Sequence, residues 1–222
     1  MKTTPLCLAL AVLLSAAAAQ AQTAGTWMLR GGVMNITPDV DSGNLSASSL
    51  PNTQIDSNGS TRPSGGITYM LDDHWALDVP IAVPFKHTLT GAGSIAGAGK
   101  IGETKALPIT LLGQYRFGEA HAQFRPFVGA GLTYAKFFKE RSTATLTAIT
   151  GGNASTPTTL SLESKLGLTL QVGGTLALNE RWFVEGMVAK TFVKTTGTLS
   201  TGQTIKVTLD PLTLSLGVGY RF

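Results

Sequence analysis

The chain ends in Pro211-Leu-Thr-Leu-Ser-Leu-Gly-Val-Gly-Tyr-Arg-Phe222, a stretch in which apolar residues alternate strictly with small or polar ones. Side chains of a β-strand point alternately to opposite faces, so the pattern predicts a strand with one wholly apolar face. That face consists of Leu212, Leu214, Leu216, Val218, Tyr220 and Phe222. Such a face needs a protein core or lipid, and a terminal aromatic pair is typical of a strand that ends at a membrane interface. The stretch therefore predicts a transmembrane strand.

The first 21 residues have the composition of a secretory signal peptide. Lys2 precedes an apolar run from Leu6 to Ala19, and Ala19-Gln-Ala21 is a small-x-small cleavage site. Cleavage would leave residues 22–222 as a single mature domain. The one cysteine, Cys7, would be lost with the peptide, which excludes a disulfide scaffold and thiolate catalysis in the mature chain.

Composition narrows the class further. Charged residues make up 14% of the chain, well below the roughly one quarter that is usual for soluble domains. Outside the signal peptide no apolar stretch reaches the length of a membrane-spanning helix. The net charge of +4 is small and scattered, which argues against a nucleic-acid partner. These properties favour membrane strands, because alternation never builds a long hydropathic peak.

Alternating hydrophobicity predicts eight strands, at residues 27–38, 63–71, 74–89, 105–117, 124–139, 160–178, 181–196 and from about 203 to the end. The connections between them alternate between long, Ser/Thr/Gly-rich stretches and short turns. This pattern predicts an all-β fold, an eight-stranded antiparallel transmembrane β-barrel with short periplasmic turns and long extracellular loops. The long loops lack hydrophobic periodicity, and we expect disorder at their tips.

Alternation also assigns the faces of each strand. In the sixth strand it places Leu160 and Leu162 on the lipid face together with the leucines that follow them. In the third strand it directs Val83 and Phe85 to lipid and Lys86 to the interior. An Arg or Lys that faces lipid at mid-membrane costs about 2–4 kcal/mol, so nearly all charges at membrane depth are expected inside.

The predicted interior contains a charged set and an apolar set. The charged residues are expected near the short-turn end: Arg30, Asp78, Arg116, Arg125, Glu185 and Arg221. Opposite charges in a narrow barrel favour a salt-bridged plug, with an anion or substrate site built from the excess arginines as the alternative. The apolar residues are Met34, Ile36, Leu112, Phe127, Phe137 and Met187.

The apolar set has two interpretations. Eight strands leave an interior just wide enough for side chains or for one small ligand. The set therefore predicts either a solid packed core or a groove that opens toward the long loops, and it disfavours a water-filled pore. Prolines in the third, fourth and fifth strands remove hydrogen-bond donors from the sheet, namely Pro80, Pro84, Pro108 and Pro126. They indicate either local bulges or a lateral exit.

Several motifs together resemble those of the OmpW family, which includes the AlkL-type uptake proteins. They cover the mature chain in order: Trp27 with Arg30-Gly-Gly32, Pro84-Phe-Lys-His87, Leu107–Phe117, Arg125–Tyr134 with Phe137-Phe138, and Leu209-Asp-Pro211 with Gly217–Phe222. The resemblance implies an eight-stranded outer-membrane barrel with a hydrophobic channel, from which small hydrophobic molecules leave laterally into the membrane. The chain departs from the family at Leu212, where a Trp is common, and in its Ser/Thr/Ala-rich first and third long loops.

The sequence thus predicts a bacterial outer-membrane protein that passes small hydrophobic solutes. Its expected partners are outer-membrane lipid, lipopolysaccharide and, through Tyr220 and Phe222, the barrel-assembly machinery. No feature specifies an oligomeric state. The alternative is a structural or receptor barrel that acts through its loops and has a packed, non-conducting interior. An enzyme, a cofactor or a metal site is not expected, because His74, His87 and His121 lie far apart without a paired Ser and carboxylate.

Overall fold

The structure is a computed structural model that describes residues 22–47 and 49–222. The predicted signal peptide, residues 1–21, lies outside this part of the chain. Within the described residues, no helix combines the length and apolar character needed to cross a membrane.

Eight long antiparallel strands form the body of the described chain. They are β1 (Trp27–Thr37), β4 (Ser60–Met70), β5 (Trp75–Ala82), β7 (Lys100–Arg116), β8 (Phe124–Ser142), β10 (Lys165–Ala177), β11 (Trp182–Phe192) and β14 (Leu212–Arg221). β1 pairs with both β4 and β14, and pairing of β7 with β8 joins the two ends of the sheet. The sheet therefore closes on itself, and the predicted eight-stranded barrel is confirmed.

The outer surface of the barrel is a continuous apolar band. Leu166, Leu168, Leu170 and Val172 of β10 are exposed on it, as are the leucines of β14. Aromatic rings pack in pairs around the end that carries the short turns: Trp27 with Tyr69, Trp75 with Tyr115, Trp182 with Tyr220, and Tyr220 with Phe222, with centroids 4.7–5.2 Å apart. A girdle of this kind is typical of a membrane interface.

The long loops extend the barrel with regular structure. Two sets of strands rise beyond the apolar band. One consists of β3 (Thr53–Ser57) and β6 (Phe85–Gly93), which extend the barrel sheet beside the ends of β7 and β8. The other consists of β2 (Asp41–Ser42), β13 (Thr204–Thr208), β12 (Lys194–Leu199) and β9 (Leu160–Leu162). Helix α1 (Ala144–Ile149) lies in the third long loop, where Thr143 caps its first turn. Much of this region is therefore more regular in structure than its composition indicated.

Two predicted strands are interrupted, and each interruption reverses the faces that follow it. The third strand breaks at Val83 and Pro84 into β5 and β6. Beyond the break Phe85 is completely buried and Lys86 is exposed, the opposite of the sequence-based assignment. A shift of one residue moves every later side chain to the other face, and the proline supplies that shift because it cannot donate to the ladder.

The sixth strand breaks in the same way at Glu163 and Ser164. Leu166 is 65% exposed on the outer face, whereas Leu162 is only 9% exposed and points inward. Glu163 donates its backbone N–H to Thr196, and the Ser164 hydroxyl accepts from the N–H of Phe137. The prediction that Leu160 and Leu162 share the lipid face was therefore wrong.

Candidate functional site

A network of buried charges fills the interior near the short-turn end. The Arg30 guanidinium donates to both carboxylate oxygens of Asp78, at 2.7 Å and 3.0 Å. Thr68 lies between them, because it accepts a hydrogen bond from Arg30 at 2.9 Å and donates one to Asp78 at 2.6 Å. The network therefore joins three neighbouring strands, β1, β4 and β5.

Glu185 extends this network across the barrel. Its Oε1 lies 3.2 Å from Nε of Arg30, and its Oε2 lies 3.1 Å from Nη2 of Arg116. Thr175 donates its hydroxyl to Oε2 at 3.0 Å. The two buried carboxylates thus balance the charges of Arg30 and Arg116, as expected when ions are removed from water.

The two remaining arginines have other partners. Arg125 donates to the backbone carbonyls of Gln22, Asp73, Arg116, Phe117 and Gly118, and so ties the start of β1 to two short turns. The Arg221 guanidinium lies 5.4 Å from the ring centroid of Phe183. Arg30, Asp78, Arg116 and Glu185 therefore form the salt-bridged part of this interior.

Phe127 marks the upper boundary of the charged network. Its ring lies 4.8 Å from Cζ of Arg116 and packs above with Met34 and Met187. The ring also lies over Gly173, where an added Cβ would come within 2.5 Å of it. A glycine at this position therefore gives the phenylalanine room to lie across the barrel.

An apolar cavity begins above Phe127 and opens toward the long-loop end. Its cavity volume is about 120 Å³. Five of the six predicted channel residues line it: Met34, Ile36, Leu112, Phe137 and Met187. Phe127 is 1% exposed and belongs to the packed floor beneath the cavity, so its assignment as a lining residue was wrong. The interior is neither a solid core nor a complete pore.

One wall of the cavity is more polar than the sequence analysis indicated. Hydroxyl groups of Thr110, Thr133, Thr169 and Thr191 form a row across β7, β8, β10 and β11, with successive Oγ1 atoms 2.8, 2.6 and 2.9 Å apart. Gln171 lies on the same face of β10 and also lines the cavity. Alternation in β10 places Gln171 and Thr169 inside, but only the assembled barrel shows that the four hydroxyl groups meet.

The apolar space continues above the cavity. Leu89, Ile101, Leu146 and Leu199 form an upper cluster between the two sets of extending strands, and Leu146 comes from helix α1. Ile55, Leu89 and Leu162 line both the main cavity and a smaller space within this upper cluster. The reversed face of Leu162 therefore adds to the apolar wall.

The sheet is open at one place beside the cavity. β5 pairs with β7 as far as Asp78 and Leu112, and pairing resumes only where Phe85 meets Ala106. Between these points Pro80 and Pro108 lie on the cavity wall, and neither can donate a backbone hydrogen bond. We call this interval the lateral gap. It corresponds to the region where prolines indicated either bulges or an exit.

The histidines and the remaining acidic residues form no metal site in the described chain. In the described part of the chain, no three His, Cys, Asp or Glu side chains are placed to hold a metal ion. His74 contacts the carbonyl of Arg116, His87 that of Asn58, and His121 the carboxylate of Glu119. These three histidines therefore lie in separate environments.

The closed sheet, the apolar outer band and the charged interior define an integral outer-membrane β-barrel of the small, eight-stranded class. Residues 23–222 match the OmpW family. Over 228 residues and the full length of both proteins, the chain is 36% identical to Outer membrane protein W of Vibrio cholerae. The chain belongs to the OmpW family, which confirms the resemblance and the outer-membrane location.

Two further similarities are informative. The crystal structure of the outer membrane protein OprG from Pseudomonas aeruginosa matches with a TM-score of 0.81 and 28% identity, over 91% of this chain and 99% of that one. The dibenzothiophene metabolism operon protein PahQ of Pseudomonas aeruginosa is 28% identical over 200 residues, which is 88% of each protein. The fold and the family are thus shared along the whole barrel.

Proposed function

We propose that this barrel gives small apolar solutes a passive route across the lipopolysaccharide layer and releases them sideways into the membrane. The observation that carries this proposal is the apolar cavity, which spans the upper interior and is closed below by Phe127 and the charged network. A solute that partitions into it leaves water without losing hydrogen bonds. Hydrated polysaccharide opposes such solutes, so an apolar route past it lowers their barrier.

The floor of the cavity argues against passage straight through to the periplasm. Beneath Phe127 the interior is filled by Arg30, Asp78, Arg116 and Glu185, which hold one another by ion pairs. Separating these pairs would leave uncompensated buried charges, which costs several kcal/mol. The charged network therefore directs a solute elsewhere.

The lateral gap supplies the alternative path. Pro80 and Ala82 line the cavity on one side of it, and Pro108 and Thr110 line it on the other. The outward-facing neighbours Val79, Ile81, Ile109 and Leu111 are exposed on the apolar band. A solute that leaves here exchanges one apolar environment for another, so no energy source is required.

The name of PahQ supports an apolar cargo. That relative is named for dibenzothiophene metabolism, and dibenzothiophene is a small, uncharged aromatic compound. A cavity lined by Met34, Ile36 and Met187 suits molecules of this kind.

Basic residues support contact with lipopolysaccharide phosphates. On the outer surface above the band, Lys86 lies opposite Lys105 in the register of β6 and β7. Like charges in this position repel each other. Within the described chain, the ion pairs of Glu103 are with Lys86 and Lys100. Phosphate groups at this height would relieve the repulsion. We infer that this part of the rim binds the lipid headgroup.

The receptor alternative has less support. A barrel that acted only through its loops would need no interior space, yet the cavity persists above Phe127. Catalysis is not part of the proposal, since the three histidines lie apart.

Uptake of a labelled medium-chain hydrocarbon by cells that lack their own copy tests the conduit. Ala189 lines the cavity, and Ala189→Phe would fill it. Ala130 is exposed on the outer face, so Ala130→Phe is a matched control with the same added volume. We expect wild-type and Ala130→Phe barrels to speed uptake and Ala189→Phe to abolish the gain.

An unrelated eight-stranded barrel at the same surface level gives the baseline. Uptake no faster than this baseline would contradict the conduit. Equal uptake by the two phenylalanine variants would mean that solutes do not pass through the cavity.

A further inference from the structure

The side-chain amide of Gln171 is buried in the cavity wall without a hydrogen-bond partner. The residue is 5% exposed, and neither Nε2 nor Oε1 meets a polar atom of the described chain. Its neighbours on the sequence, Leu170 and Val172, are exposed on the outer band, which places Gln171 at membrane depth. An unpaired amide in such a place costs free energy, and a leucine there would not.

The surroundings explain why no protein group reaches the amide. Gln171 pairs in register with Gly129 on β8 and with Ala189 on β11, neither of which carries a polar side chain. It lies over Gly129, where an added Cβ would come within 2.8 Å of Nε2. The amide is thus packed against the backbone of the wall, and Gln171 is among the residues that line the cavity.

Polar groups on the same wall lie one row closer to the mouth. The hydroxyl row of Thr110, Thr133, Thr169 and Thr191 contains three hydrogen bonds, which use three of its four hydroxyl hydrogens. Thr169 precedes Gln171 by two residues on the same face of β10. The row and the amide therefore form a continuous polar strip on one side of the cavity.

The opposite side of the cavity carries several apolar side chains. Met34 and Ile36 of β1 and Pro80 of β5 are among them. Among the lining residues in the described chain, His87 is the one titratable group, and its Nδ1 lies 2.9 Å from the carbonyl of Asn58. A charged solute would lack a counter-ion in this cavity, so burial of its charge would be unfavourable.

We propose that Gln171 binds the polar head of an uncharged amphiphilic solute, of which a medium-chain primary alcohol is the simplest member. A hydroxyl group both donates and accepts, so it can pair with Oε1 and with Nε2 of the amide. The alkyl chain lies against Met34 and Ile36 and points toward the mouth. This inference rests on the proposed conduit and adds a preference among its solutes.

Binding can be measured on the whole barrel in lipid nanodiscs. The ¹⁵N resonance of the Gln171 side-chain amide is followed while octan-1-ol, octane or octanoate is added. We expect a saturable shift with octan-1-ol alone. A shift of equal size with octane would mean that the amide does not recognise the hydroxyl group. No shift with octan-1-ol would mean that the alcohol does not pair with the amide. Either result would overturn the proposal. A larger shift with octanoate would overturn the uncharged class.

Uptake by cells provides the second arm. Gln171→Leu keeps a similar volume, and Gln123→Leu in an exposed turn is the matched control. We expect Gln171→Leu to lower the ratio of octan-1-ol to octane uptake about fivefold to tenfold, as the loss of about one hydrogen bond implies. Octane uptake faster than through the unrelated barrel would show that the variant has folded.

The two arms separate this inference from the conduit. If neither solute enters faster than through an unrelated barrel, the conduit fails, and the amide resonance still decides whether Gln171 binds the alcohol. If both solutes enter faster and Gln171→Leu leaves their ratio unchanged, the conduit stands and the role of Gln171 is overturned.

Discussion

Arg30 and Asp78 form a bidentate ion pair inside the barrel, with Nη1–Oδ1 and Nη2–Oδ2 distances of 2.7 Å and 3.0 Å. The pair reaches from β1 across β4 to β5, so it ties together strands that are not direct neighbours. Two parallel hydrogen bonds fix both the position and the plane of the guanidinium. This contact stabilises the charged network that lies beneath the cavity.

Removal of the Asp78 charge should destabilise the barrel. Asp78→Asn leaves Arg30 with Glu185 as its remaining ionic partner, and loss of one partner of a buried pair costs about 3–5 kcal/mol. We expect a lower midpoint of urea unfolding in lipid vesicles. Asp73→Asn changes an exposed turn carboxylate and serves as the control; equal midpoints for the two variants would show that the pair adds nothing to stability.

Gly66 should be intolerant of a side chain because Arg30 lies directly over it. An added Cβ would come within 2.3 Å of Cζ and 2.4 Å of Nη2 of Arg30. Gly66→Ala should therefore displace the guanidinium and weaken the bond to Asp78, with a fall in thermal stability. A Cβ at Gly31 meets nothing within 4 Å, so Gly31→Ala is the control. Comparable melting temperatures for both variants would contradict the close packing.

The lateral gap should depend on its prolines. Pro80→Val together with Pro108→Val restores two backbone donors beside the cavity, which favours pairing of β5 with β7 across the interval. We expect slower hydrocarbon uptake from the double variant, and slower hydrogen exchange of the amides in this interval. Pro126 lies exposed on β8, away from the gap, so Pro126→Val should leave uptake unchanged. Uptake at the wild-type rate after the gap has closed would rule out lateral release here.

Glu103 should titrate at unusually low pH. Hydrogen bonds from Lys100 and Lys86 lower the pKa of this carboxyl from its ordinary 4.5 to about 2. A depressed pKa means that the contacts contribute stability above pH 4.5 and lose it as the pH falls toward 2. The carboxyl ¹³C shift, followed from pH 7 to pH 2, measures the pKa.

Replacement of both lysines tests the cause of the Glu103 shift. Lys86→Gln together with Lys100→Gln should return the pKa of the carboxyl to its ordinary range. Lys206 is exposed on β13, and Lys206→Gln serves as the control. If the double variant titrates at the same pH as the wild type, the two lysines are not the cause.

Most residues of the charged network beneath the cavity could be predicted from the sequence, because their inward direction follows from the alternation within each strand. Arg30, Asp78 and Glu185 sit in strands whose neighbours are strongly apolar on the other face, so alternation alone places them inside. Phe85 and Leu162 were assigned to the wrong face because a break separates each of them from the barrel part of its predicted strand. Alternation within one strand cannot reveal a one-residue slip, because the slip depends on how the strand pairs with another strand.

The sequence by itself determined the eight-stranded barrel, its apolar outer band and its inward charges, because each follows from the transfer cost of single side chains along a strand. Its motifs indicated the family by resemblance. Only the tertiary structure decided that the upper interior is a cavity and that Phe127 closes it. It also decided that hydrogen bonding to β7 is interrupted between Asp78 of β5 and Phe85 of β6. It also decided that the amide of Gln171 lacks a partner. These properties depend on how strands that are far apart in sequence are placed across the barrel. The hydrophobic pattern within one strand contains no information about that placement.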